Sequence, residues 1–401
     1  MTALEKNKLT REQRKLEKAR KKEESYYLAS QWTLMGRKLV KHQLARVSLI
    51  LLGILYFCAL FADFIAPSTL TAYNSSATNL PPTQIHLFHE GEFIGPFVYP
   101  TKWENLATQM SVSELMQARK EAQERGETFQ AQQVVVDTTR PQKIKLFVHG
   151  PSYKWLGLIP GDLHLFGVED GGNIFIFGSD SMGRDLFSRI LLGSQVSLTI
   201  PFAGTAISFI LGILLGSISG YFGGWVDNII QRVIEVLNAL PSLPLWMALS
   251  AAIPAGIPPV QMYLLITIIL SLISWTGLAR VVRGKFMSLK NEDFVTAARL
   301  AGVSDLKIIV KHLVPGFMSY LIVSLTLGIP GMIIGETSMS FLGLGIQSPA
   351  TSWGVLLKEC QDVTAIANYP WQLIPLIFVI IAVLAFNFLG DGMRDAADPY
   401  K

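Results

Sequence analysis

The chain has 401 residues, 50% of them hydrophobic and only 16% charged, with a mean hydropathy of +0.38 and a formal net charge of +4. This composition sets aqueous enzymes aside and points to an integral membrane protein. The 2 cysteines, Cys58 inside an apolar run and Cys360 in a predicted outer loop, support no disulfide framework, zinc site or haem motif.

Residues 1–43 form a basic stretch that includes Lys18, Arg20, Lys21, Lys22, Arg37, Lys38 and Lys41. Such a run could bind nucleic acid, but beside the first apolar stretch it reads as a cytoplasmic tail under the positive-inside rule. It is too long and too charged for the n-region of a signal peptide, so the first span is expected to be retained. Crossing a bilayer takes about twenty apolar residues. Six such stretches are predicted, at 44–66, 196–219, 229–253, 260–279, 317–336 and 371–389. Six crossings with the tail inside place both termini in the cytoplasm, with 391–401 as a second tail.

Between the first two spans, 67–195 is predicted to lie outside. It opens with the turn-rich NSSATNLPP, predicts a helix over 113–125 ended by Gly126, and alternates as a strand around 144–148. This is a small mixed extracytoplasmic insertion, read as a packing or docking platform rather than a direct substrate contact. It ends in FGSDSMGRDLFSRILLGSQVSLTI. Leu186, Phe187, Ile190 and Leu191 share one helical face and Arg184, Asp185, Ser188 and Arg189 the other, which predicts a helix lying at the membrane surface.

In the second span Gly212, Gly216 and Gly220 recur every four residues and bare one face for close helix packing. The third span carries NALPSLPLW, and Pro241 and Pro244 are expected to kink or break it. Carbonyls freed there can line an aqueous path. Pro330, with Gly328, Gly331 and Gly335, does something similar in the fifth span, and Ser242, Ser324 and Thr326 would add small hydroxyls to such a translocation path.

Residues 280–315 are a polar, basic island between two apolar runs, with Arg280, Arg283, Lys285, Lys290, Arg299, Lys307 and Lys311. Asn291 can cap a helix whose first turn carries Glu292 and Asp293, matching the positive end of the helix dipole. The helix runs through Phe294, Val295, Ala297, Ala298 and Leu300 to Gly302, placed to end it in a left-handed conformation. Ser304 can start a second helix, and Pro315 limits how far that one runs. Taken alone, this is a cytoplasmic helical hairpin.

Ala297 and Ala298, Gly302 four residues later and Pro315 after the second helix resemble the "EAA" loop of binding-protein-dependent ABC importer permeases. Thr296 stands where that family usually has glutamate, and His312 where isoleucine is common. The resemblance implies a coupling helix docked in a groove of an ATPase subunit, with Asp293, Ala297, Ala298, Gly302 and Pro315 as coupling positions. Gly178, Asp180, Gly183, Arg184, Asp185, Ser188 and Arg189 resemble the GTDxxGRDxxSR signature of the dipeptide/oligopeptide permease subfamily. GETSMSFLGLGIQSPATSWGVLL and the terminal LAFNFLGDGMRDAADP are similar to the same subfamily, so the resemblance covers 178–399.

What this implies is an all-α integral membrane subunit of the C type with the six-helix type I (MetI-like) permease fold, a five-helix core at 196–390, and a place in the inner or plasma membrane. It further implies a second permease, two ATPase subunits that hold ATP and Mg, and an extracytoplasmic solute-binding protein. Peptides are the cargo implied first, with oligosaccharides or nickel as alternatives. The chain itself has no G-x-x-x-x-G-K-[ST] run, and no cofactor, metal site or catalytic residue is expected in it. The alternative class is an ion-coupled secondary transporter, since broken helices are typical of those. The deep parts of the second, fourth and sixth spans carry no ionisable residue, and Arg232, Glu235 and Glu336 are read as lying near span ends, which argues against that class.

Overall fold

The structure, a computed structural model, describes residues 31–105, 111–124, 132–155, 157–168, 172, 174–254, 256–347 and 350–398. Lys18, Arg20, Lys21, Lys22 and Gly126 lie outside the described residues.

Helix α1 (Gln31–Lys41) leads into α2 (Gln43–Leu60), whose N-cap is the His42 side chain, accepting from Ala45 N at 3.2 Å. The predicted first span is split. Phe61 leaves helical geometry and a short α3 (Ala62–Ile65) follows.

The inserted subdomain comprises β1 (Ile85–His89), β2 (Glu92–Val98), β3 (Thr101–Asn105), α4 (Val112–Glu124), β4 (Gln132–Val136), β5 (Gln142–Trp155) and β6 (Ile159–Val168). One antiparallel sheet has the order β1-β2-β5-β6, and β3 pairs with β4 separately. The sequence indicates only α4 and the middle of β5. The other strands are short or half-solvated, so apolar and polar residues do not alternate cleanly along them.

Helix α5 (Leu186–Phe222) is one rod of 37 residues. This corrects the reading of 186–195 as a separate interfacial helix and of 195/196 as a boundary. The polar face that suggested a membrane surface is instead buried against protein groups. At 1.5 Å per residue the rod is about 55 Å long, longer than the hydrocarbon core of about 30 Å that a span has to cross.

The predicted third span is two helices, α6 (Gly224–Ala239) and α7 (Ser242–Ala251), bent by 90°. Pro241 precedes α7, whereas Pro244 sits in its first turn, where a missing N–H breaks no intrahelical bond. The break therefore belongs to Pro241, not to both prolines. Among the described residues 5 helices are long and apolar enough to cross a membrane, or 6 if the bent pair counts as one span.

Helix α8 (Pro259–Leu289) extends well past 279, so Arg280, Arg283 and Lys285 lie on a helix rather than in a loop. Then come α9 (Asp293–Leu300) and α10 (Asp305–Ile308). A π turn at Ile309–Leu313 and a 3-10 turn at Val314–Phe317 carry α10 directly into α11 (Met318–Phe341). Pro315 thus does not end the second hairpin helix. A wide turn followed by a tight one accommodates its ring, and helical turns follow one another over 305–341 except at Phe317, which has φ of −131° and ψ of 27°.

Two short helices, α12 (Trp353–Leu357) and α13 (Val363–Asn368), precede α14 (Ile374–Ala397). Helix α14 takes up 391–397, expected as a tail. Its end is held by α1 and its junction with α2: Lys38 Nζ donates to Asp398 O at 2.9 Å, and His42 stands 3.8 Å from Asp395. Helices α2, α5, α11, α12 and α14 share a core around Ile190, Leu198, Ile333, Trp353, Ala382 and Phe386. Cys360, predicted in an outer loop, is buried at the edge of this core.

Candidate functional site

The hairpin between α8 and α11 is built on an apolar seat. Val295 on α9 and Ile308 on α10 are fully buried against Val282 and Phe286 of α8 and Leu321 of α11, with Ala298 and Val303 packed beside them. Asn291 does not cap α9. The Glu292 N–H continues the turn to Leu289 O (3.1 Å), which leaves Glu292 itself at the N-cap with no side-chain bond. The other end of α9 is closed by its backbone: Gly302 has φ of +76°, its N–H donates to Arg299 O (2.9 Å), and Val303 N donates to Ala298 O (3.1 Å). These two bonds satisfy carbonyls that the helix end would otherwise leave open, and they require a left-handed residue at 302.

The two alanines do different things. Ala298 turns inward onto the seat, whereas Ala297 is exposed on the outer face. Around Ala297 the hairpin exposes large apolar side chains, with Leu300 at 86% and Leu306 at 70%, and Phe294 nearly half exposed. The composition of this charged hairpin held the signal for them, since apolar residues among Asp, Glu, Arg and Lys need a reason to be outside.

Polar contacts tie the hairpin to α5 and α6. Tyr221, near the end of α5, donates its hydroxyl to Asp305 Oδ1 at 2.5 Å, and the Arg299 guanidinium lies 5.2 Å from the centre of the Tyr221 ring. Lys290 Nζ reaches Gly220 O at 3.3 Å, a cation at the negative end of α5. Arg283 and Asp227 join α8 to α6. None of these partners has a regular sequence spacing, so pattern reading passes them over.

Along the α5–α8 contact, a Cβ at Gly216 would stand 2.5 Å from Ala279 O. One at Gly220 would stand 2.6 Å from Arg283 O, and one at Gly212 2.9 Å from Leu278 Cβ.

The residues 180–189 form a node at the other end of α5. Asp180 accepts from Met182 N (2.8 Å), Arg184 N (2.9 Å) and Arg184 Nε (2.6 Å), and pairs with Arg189 Nη1. Glu359, ahead of α13, lies within 3.6 Å of Arg189 and 3.5 Å of Arg184. Asp185 caps α5 through Ser188 N (2.9 Å) and Phe187 N (3.3 Å). Burial pushes its carboxyl up to about 6, with those hydrogen bonds opposing the shift. Ser188 Oγ accepts from Ser68 N at 3.1 Å, and Gly183 has φ of +73° beside Asn74 O. The node therefore locks the start of α5 to the chain after α3 and to the segment before α14.

The residues read as a path are not brought together. Pro241, Ser242 and Pro244 are exposed at the α6–α7 bend, while Pro330 is buried within α11. Ser324 borders a cavity of about 70 Å³ between α5, α8 and α11, with Thr205, Ser208, Ser274 and Gly328. Thr326 is a correction. Its hydroxyl donates to Ile322 O (3.0 Å) and lies 3.3 Å from Met393 Sδ, so it faces α14. Glu336 is another. Helix α11 runs on to Phe341, so this carboxylate is fully buried in its interior, accepting from Ser340 Oγ at 2.7 Å with Ser197 Oγ 3.5 Å away. No group of metal-ligating side chains occurs among the described residues.

The family described as binding-protein-dependent transport system inner membrane component matches residues 212–400, and the N-terminal TM domain of oligopeptide transport permease C matches 30–82. The chain is 42% identical over 224 residues to the oligopeptide transport system permease protein OppC of Haemophilus influenzae, a match covering 56% of this chain and 70% of that protein. It is 39% identical over 224 residues to the dipeptide transport system permease protein DppC of Bacillus subtilis, covering 56% and 68%. To the glutathione transport system permease protein GsiD of Escherichia coli it is 41% identical over 223 residues, covering 56% and 71%.

Proposed function

Since this chain belongs to the family of binding-protein-dependent transport system inner membrane components, in its oligopeptide permease C branch, we propose that it is the permease subunit through which an ABC importer passes peptides across the inner membrane. The observation that carries the reading is the hairpin. Its inner face is fixed on the ends of α8 and α11, and its outer face offers Ala297, Leu300 and Leu306 to a partner.

In this reading an ATPase subunit holds α9 in a groove. Displacement of α9 moves α10 and α11 together, because helical turns follow one another from 305 to 341 with Phe317 alone outside helical geometry. It also moves α5 through Tyr221. Asp293 gives the first turn of α9 a negative charge, which suits the helix dipole whether or not a partner cation meets it. The partners are a second permease, two ATPase subunits that hold ATP and Mg, and an extracytoplasmic solute-binding protein. With the bent pair counted as a crossing, both termini and the hairpin lie in the cytoplasm and the inserted subdomain lies outside. Cargo would pass beside Ser324 and the bend at Pro241, Ser242 and Pro244, met by backbone and small hydroxyls rather than charge. Such a path binds weakly, as release requires, and leaves selection to the binding protein.

Reconstitution with the proteins encoded beside it, ATP on the hairpin side and a labelled tripeptide with binding protein on the other, should give ATP-dependent accumulation. Accumulation of an oligosaccharide or nickel but no peptide would replace the cargo. Uptake driven by a proton or sodium gradient without ATP would replace the machinery.

A further inference from the structure

The hairpin of β5 and β6 lies in 83–211, outside both family matches, and its tip does not point away from the membrane. Two contacts give its direction. Toward its base, the His164 ring stands 2.5 Å from Ala66 O, just beyond α3. At its tip, Trp155 donates its indole N–H to Leu60 O at 2.7 Å and stacks on Phe61 at 5.7 Å between ring centres. The tip is therefore farther down the first span than the base is. The carbonyl it meets is one that the helix break at Phe61 leaves open, since Phe64 N turns to Phe61 O instead.

The level of that contact is fixed by the sequence of α2. Residues 47–62 carry no charge and end at Asp63. As helix they span about 24 Å, less than the hydrocarbon core of about 30 Å. Leu60 and Phe61 accordingly lie at or inside the edge of the core. The same face of α2 exposes Ile50, Ile54 and Phe57, each by more than half, and the hairpin tip continues it with Leu158 (81% exposed) and Ile159 (56%).

The tip has the chemistry of a membrane interface. A tryptophan stands at the boundary, two large exposed apolar side chains flank it at the turn, and exposed Lys154 can reach back to headgroups. Among the described residues of the tip, the backbone N–H groups of the turn are bonded internally, as low dielectric favours. Gly157 N donates to Lys154 O (2.9 Å), Leu158 N to Trp155 O (3.0 Å), and Trp155 pairs with Ile159 in the ladder.

We propose that the β5–β6 tip is a membrane anchor, with Trp155, Leu158 and Ile159 immersed in the lipid leaflet at the Leu60 end of α2, so that the inserted subdomain is held down on the bilayer. This rests on α2 being a span and not on the cargo.

The test is made on the full chain in proteoliposomes with its partner subunits, in a C58A/C360A background. A nitrobenzoxadiazole label is placed by Leu158→Cys and, as reference, by Met116→Cys on exposed α4. The label at 158 should lose most of its emission to nitroxide lipids and little to aqueous iodide, and the label at 116 the reverse. Quenching at 158 by iodide alone would place the tip in water, and quenching by neither would mean that protein covers it; each result overturns the proposal. Because the label itself adds apolar surface, an unlabelled chain and a Leu158→Asp/Ile159→Asp chain are also compared for trypsin cleavage after Lys154 in liposomes. The anchored tip should be cut many times more slowly in the first than in the second. Equal rates would rule anchoring out.

Discussion

Arg283 meets Asp227 side-on, with Nε to Oδ1 and Nη2 to Oδ2 both at 2.6 Å, and Ser219 Oγ donates to the same Oδ1 at 2.5 Å. Three helices converge on one carboxylate. It fixes the start of α6 against α8 at Arg283, which lies in the chain between Val282 and Phe286 of the seat on which the hairpin rests. Replacing Arg283 by Lys keeps the charge but removes the two-point fork. A loss of about 1–2 kcal/mol is expected for a charge-assisted pair that is partly exposed. Thermal unfolding in detergent measures this, and an unchanged midpoint for both Arg283→Lys and Asp227→Asn would remove the pair from any structural account.

Adjacent alanines separate docking from folding. Ala297→Trp places bulk on the exposed face and should abolish ATP-dependent uptake while leaving the unfolding temperature unchanged. Ala298→Glu drives a carboxylate into the seat with Val295 and Ile308, at a cost of several kcal/mol, and should reduce the yield of folded protein. Uptake at the parent rate in Ala297→Trp would show that α9 is not held by a close-fitting groove.

Gly302 isolates backbone strain, because no atom lies within 4 Å of where its Cβ would be. With φ of +76°, Gly302→Val should destabilise by about 1–2 kcal/mol through strain alone, and Gly302→Asn by clearly less, since Asn tolerates this region. Equal unfolding temperatures for the two variants would contradict this.

At Gly216 the obstacle is a neighbour rather than the backbone. A methyl there would stand 2.5 Å from Ala279 O and 2.9 Å from Ala279 Cα. Gly216→Ala should therefore force α5 from α8 and lower stability by about 1–3 kcal/mol. Gly204→Ala, whose nearest atom would be Ser271 Oγ at 3.4 Å, should be nearly neutral. A matched effect at both sites would mean that the two helices yield freely.

Burial pushes the Cys360 thiol from 9.0 up to about 11, and it donates to Gln372 O at 3.2 Å. The thiolate is the reactive form, so a maleimide at pH 8 should leave Cys360 unlabelled until the protein is unfolded. Above pH 9 the unfolded chain releases a proton that the folded chain keeps, so the fold should lose stability between about pH 9 and 11. Rapid labelling of the folded chain at pH 8 is the result that would not fit.

The sequence by itself determined what depends on a residue and its immediate neighbours. Long uncharged apolar runs have to be membrane helices, because no other open structure satisfies their backbone in lipid. A left-handed residue is needed where α9 stops, and only glycine adopts it without strain. The motifs in 178–399 point to the family, since they recur in order with their spacing intact. Tertiary structure decided what depends on partners far along the chain. Whether Arg189 faces water or protein was set by Asp180 and Glu359, and so the amphipathic 186–195 became the buried start of a long rod. Which alanine of a pair points outward was set by the seat of Val282, Phe286 and Leu321. Whether Pro315 ends a helix was set by the π turn before it, and the place of Trp155 against the first span by an open carbonyl on Leu60. Helical and strand periodicity report the burial of a face but carry no information about what buries it, and these positions differ only in that.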